Sequence, residues 1–199
     1  MAAFLPRPSA VCLRRQLSSN VRSQYSAMAR HGKSFEEYHS VPEGWDQESV
    51  LAAHEALHGT FDLQPMLVPQ NYDPWLKYRG ALYAIAEGVS SGDLASAELA
   101  VRFIELQFFG SYAGFVRELL ARRLKHVELT QEQRQRLSAH FLSLLETGVH
   151  CQEFHEYLGL WRQFISEAEL ARVEQLVARR AESRFGSKVL SRLQRRGDK

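Results

Sequence analysis

An all-α fold follows from three observations. Apolar residues recur at helical spacing in successive segments, most of those segments open on capping residues, and no four-residue stretch alternates as a half-buried strand would. Pro65-Met66-Leu67-Val68 comes nearest to a strand, and proline flanks it. Connections of roughly 2–6 residues favour antiparallel neighbours. About six to eight antiparallel helices are therefore expected, as a bundle or a short stacked array of helical hairpins.

The chain opens on residues 1–34, which hold six Lys/Arg, no acid, many serines, and scattered Phe4, Leu5, Val11, Leu13 and Leu17. This composition suits an organelle transit peptide of mitochondrial type; the alternative is that Met28 is the true start and a misassigned leader precedes it. A basic arm that binds nucleic acid is a third reading. On each of them residues 1–34 are a disordered basic leader. A single helical domain is then expected over 35–186 and a short basic helix or tail over 187–199.

Ser34-Phe35-Glu36-Glu37 has the form of a capping box, and Pro42 and Gly44 keep that helix short. Asp46 caps a helix expected to run through His58 and to stop at Gly59, with Trp45 and Val50 as a hydrophobic staple. Residues 59–72 read as an extended connection. Asp73-Pro74 opens the next helix, whose stripe is Trp75, Tyr78, Leu82 and Ile85, closed by Gly88. Asp93 caps a helix apolar nearly all round, from Leu94 to Phe109, which should be the central one. A helix bearing Phe115, Val116, Leu119, Leu120 and Leu124 follows, then one begun by Thr130-x-x-Gln133 and ended by Gly148. Phe154, Tyr157, Leu158, Trp161 and Ile165 mark another. Ser166-x-x-Glu169 caps the last long helix, which Phe185-Gly186-Ser187 should break. The aromatics of residues 75–115, at helical spacing, read most simply as core.

Length and composition bound the function. With 199 residues, 45% hydrophobic and 24% charged, the chain can bury a real core. No apolar run approaches the ~20 residues of a membrane span. Cys12 and Cys151 are the only cysteines, which points to a reducing, intracellular compartment. That compartment is the cytoplasm if Met28 is the start and the mitochondrial matrix if the leader is a transit peptide. Residues 35–170 hold ten Lys/Arg against twenty Asp/Glu, whereas residues 171–199 hold nine against three. An acidic body thus lies between two basic ends.

Residues His54-Glu55-Ala56-Leu57-His58 form an H-E-x-x-H string. Two histidines four apart on a helix share a face and can hold one Zn²⁺, and the glutamate can act as general base on its water. The string resembles the core of the zinc metallopeptidases, over these five residues only. A third ligand is needed, and Glu87 is the best placed; His150 and His155, with Cys151 beside them, are further candidates, and the same residues with His140 would make a separate metal cluster if the fold brings them together. The same histidines have a plain reading. His58 near a helix C-terminus complements the macrodipole, and His54 is a boundary residue satisfied by a neighbour.

Arg179, Arg180, Arg184, Lys188, Arg192, Arg195, Arg196 and Lys199 make a cationic end able to contact an acidic partner or nucleic-acid phosphates. No P-loop, dinucleotide fingerprint or nucleophile elbow occurs in the sequence. The first expectation is therefore a non-enzymatic helical interaction or scaffold module that needs no cofactor and binds another protein. The enzymatic alternative is a zinc-dependent hydrolase, and nucleic-acid binding through the basic end is the third.

Overall fold

The computed structural model describes residues 32, 34–148, 153–179 and 184–194. The leader expected over residues 1–34 falls, but for Gly32 and Ser34, outside the described residues, as do Cys12, His150, Cys151, Arg180, Arg195, Arg196 and Lys199. Nine α-helices and no strand occur among the described residues, so the all-α expectation holds. None of these helices is long and apolar enough to cross a membrane.

Contacts divide the chain into two units, Met1–Ser40 and Val41–Lys199. The first contains the short α1 (Phe35–Tyr38), begun by the capping box its sequence announces. Glu37 N donates to Ser34 Oγ at 3.2 Å, and Ser34 N donates to Glu37 Oε2 at 2.7 Å.

The second unit holds α2 (Gln47–Ala56), a 3-10 turn (Gln64–Met66), α3 (Pro74–Ser91), α4 (Leu94–Leu106) and α5 (Ala113–Leu124). It continues with α6 (Gln131–Thr147), α7 (Phe154–Trp161), α8 (Glu167–Arg179) and α9 (Arg184–Gln194). Side-chain caps start these helices where short polar residues stand. Asp46, Asp73 and Asp93 accept from backbone N–H groups of the first turns of α2, α3 and α4. Thr130 with Gln133 and Ser166 with Glu169 form reciprocal boxes at α6 and α8.

Helices α3, α4 and α5 pack on one another; α2 lies on α3 and α4, α6 on α4, α7 on α5, and α9 on α7 and α8. Leu82, Ile85, Phe103, Ile104, Leu120, Leu124, Phe141 and Trp161 are fully buried at this centre. Each such side chain stabilises the fold by about 1.5–3 kcal/mol.

Five local expectations are corrected. Helix α2 ends at Ala56, two residues before His58. Helix α3 passes through Gly88 and ends at Ser91, where Gly92 takes the left-handed cap at φ 85. Helix α4 stops at Leu106, three residues before Phe109, where Gln107 turns left-handed at φ 48. Phe115 lies 57% exposed, because the inward set of α5 is Ala113, Val116, Arg117, Leu120, Ala121 and Leu124, centred on roughly the opposite side of the helix at about 100° per residue. Phe185-Gly186-Ser187 lies inside α9 instead of breaking the chain. Gly186 is there for proximity: a Cβ on it would stand 2.7 Å from Val177 Cγ1 of α8.

Candidate functional site

The H-E-x-x-H string sits at the end of α2, and the helix ends through the middle of it. His58 N donates to Glu55 O and Gly59 N donates to His54 O, both at 2.9 Å, with His58 left-handed at φ 57. This is a Schellman ending in which histidine occupies the position glycine usually takes. The two histidines consequently leave the common helical face. His54 is buried, whereas Glu55 and His58 are exposed.

His54 is committed elsewhere. Its Nε2 lies 2.8 Å from Asp93 Oδ2, and since an ionised carboxylate only accepts, this nitrogen carries the proton. Asp93 Oδ2 also takes Ser96 N at 2.7 Å, and its Oδ1 takes Thr60 N at 2.7 Å and Thr60 Oγ1 at 3.1 Å. Burial alone would raise the pKa of Asp93. Hydrogen bonds from Ser96, Thr60 and His54 outweigh it and hold the carboxyl well below the usual carboxylate range. Gly59 lies flat on the imidazole; a Cβ there would stand 2.0 Å from His54 Cε1. The cap of α4 is thus also the clasp that fastens α2 and the following loop.

Glu87, the expected third ligand, pairs with Arg123 of α5 at 2.6 Å. Among the described residues the one group of three potential ligands whose atoms lie within 4.8 Å of one another is Glu118, His155 and Glu156. Those carboxylates already face Arg122 and Lys125. His140 Nε2 lies 3.3 Å from Gln107 Oε1, and burial lowers its pKa. At the basic end Arg179, Lys188 and Arg192 are exposed, and Arg184 opens α9.

A second constellation stands on the α4–α5 connection. Gln107 and Tyr112, neither of them glycine, take left-handed φ values of 48 and 66. Such residues cost about 1–3 kcal/mol each and persist where surroundings over-determine them. Part of that determination is a buried ion pair. Arg117 Nε donates to Glu153 Oε1 at 2.8 Å, and Arg117 Nη1 donates to Phe108 O within the same connection. Tyr112, at the start of α5, packs against α3 and is left 37% exposed.

There it meets Trp75 edge-on, with centroids 5.5 Å apart, and Phe115 at 6.4 Å. The Arg79 guanidinium lies 4.2 Å from the Tyr112 ring centre, 5.6 Å from that of Tyr83 and 5.9 Å from that of Trp75. Trp75, Arg79 and Tyr83 follow one another at four-residue intervals on α3, so one helix face supplies ring, cation and ring. Tyr112 and Phe115 are exposed, and Trp75, Arg79 and Tyr83 are half-buried. Of the aromatics expected to be core, only Tyr78 and Phe103 are buried. The spacing on α3 was visible in the sequence; Tyr112 arrives from 33 positions beyond Arg79 and gave no local signal.

No protein-family model, curated protein or solved structure matches this chain.

Proposed function

We propose that the chain is a non-enzymatic helical interaction module, and that its docking surface is the aromatic platform of Trp75, Tyr112 and Phe115. The observation that supports this reading is the arrangement of Tyr112. A buried ion pair anchors, and two left-handed non-glycine residues shape, the connection that leaves this ring partly exposed, an expense the core does not need. Large rigid aromatics are the side chains that anchor protein interfaces, since they bury much area while giving up few rotatable bonds.

The test is selection of a random peptide library displayed on phage against the wild type and against Tyr112→Asn/Phe115→Ser. Asparagine tolerates the left-handed backbone, and Phe115 is exposed, so the variant should fold. A sequence family enriched on the wild type and lost on the variant is the expected result. No enrichment, or binders indifferent to the variant, would contradict the reading.

The enzymatic alternative, a zinc hydrolase using His54, Glu55 and His58, asks His54 to release Asp93 and His58 to rejoin the helix. It predicts near one zinc per chain, lost in His54→Ala/His58→Ala. Binding through the basic end predicts instead that charge reversal at Arg192, Arg195 and Arg196 weakens association, and steeply with salt for nucleic acid.

A further inference from the structure

Five of the eight arginines in residues 35–170 pair with a glutamate, Arg136 of α6 among them. On α4 and α5, Arg102, Arg117, Arg122 and Arg123 each pair with a glutamate. Among the described residues Arg79 of α3, like Arg134 and Arg162, has neither carboxylate nor hydrogen-bond acceptor, and it differs from those two in lying against three aromatic rings. None of the guanidinium nitrogens of Arg79 is a buried polar atom lacking a partner, so its N–H donors, set in the planar fork that matches a carboxylate, are reached by solvent. The side chain is also immobilised in advance, which lowers the entropy a ligand must overcome.

We infer that Arg79 reads a carboxylate, and that the partner docked on the platform presents an aspartate or glutamate beside an apolar side chain. The inference rests on the interaction reading above and names its partner's chemistry: the acid takes the fork of Arg79, and the apolar neighbour lies on Tyr112 and Phe115. Charge decides against a polyanion. Residues 35–170 carry ten Lys/Arg against twenty Asp/Glu, a field that repels a nucleic-acid strand, whose binding needs several cations along its phosphates. One carboxylate in an otherwise apolar peptide meets little of that repulsion and a two-pronged donor at the contact.

The random peptide library is selected in parallel on the wild type, Arg79→Gln and Arg79→Lys, with thermal melting of each protein measured alongside. Lysine keeps the charge and the stem but loses the fork, so it separates recognition from packing. The wild type should enrich peptides with an acid next to an aromatic or aliphatic residue. Replacing that acid by its amide, or Arg79 by Gln, should each weaken the leading peptide about tenfold, and the two changes together little more than either. Arg79→Lys should restore only part of the binding. Enrichment of the same peptides on wild type and Arg79→Gln, or an acid replaceable without loss, would overturn the inference and leave the docking surface standing. Failure of the wild type to enrich any peptide would remove both. A fluorescent oligothymidylate provides the last arm. Salt-sensitive binding by the wild type that vanishes in Arg79→Gln would overturn the inference in favour of phosphate recognition.

Discussion

Replacing either histidine of the H-E-x-x-H string should move stability in opposite directions. His54→Ala empties a buried site and removes a hydrogen bond to a charged group, a loss of about 2–3 kcal/mol. His58→Gly relieves a left-handed side-chain-bearing residue at a helix ending and should add about 0.5–1 kcal/mol. Urea unfolding of the two variants measures both, and a matched loss in the two would contradict the clasp. Asp93 gives the same residues a pH signature. Its carboxyl stays ionised in the folded protein where the unfolded chain, near its ordinary value of about 3.9, already binds a proton. The contribution is therefore complete above about pH 5 and is lost as pH falls toward the lower folded value. Asp93→Asn should lower stability at neutral pH and flatten that acid decline; an unchanged slope would count against the assignment. The string was legible as a pattern, but its use was not. Whether His54 faces Asp93, 39 residues on, depends on how α2 meets α4, which spacing within five residues does not encode.

Helix ends were legible wherever a cap is local. Asp46, Asp73, Asp93, Thr130 and Ser166 satisfy N–H groups two or three residues away, so the sequence carries the whole interaction. Glycines misled, because the same residue punctuates a chain or admits a neighbour. Gly88 and Gly186 sit inside helices, and what demands Gly186 is Val177, on a different helix. The Arg117–Glu153 pair likewise joins α5 to the residue just before α7 and anchors the α4–α5 connection through Phe108. Arg117→Met strands a buried glutamate and should cost about 3–5 kcal/mol. Arg117→Met with Glu153→Leu removes both charges and should recover most of that loss. Chemical denaturation of the single and double variants checks this; a double variant no better than the single would show that the pair matters by more than mutual neutralisation.

At the scale of the molecule, an all-α framework spends its titratable side chains on fastening helices and leaves an aromatic surface facing out. Metal analysis of protein purified without a histidine tag should find no stoichiometric zinc; near one zinc per chain that disappears in His54→Ala/His58→Ala would transfer the account to the hydrolase reading. The overall class was open to sequence reasoning because helical periodicity and caps repeat along the chain. The platform was not, because it joins a face of α3 to a ring supplied by a distant connection with an unusual backbone. The most direct measurement is calorimetric titration of the leading selected peptide into the wild type and into Tyr112→Asn/Phe115→Ser, with both proteins shown to melt alike. The account predicts at least about a tenfold loss of affinity in the variant, since anchoring aromatics each contribute more than 1 kcal/mol. Equal affinity for two equally folded proteins would contradict it.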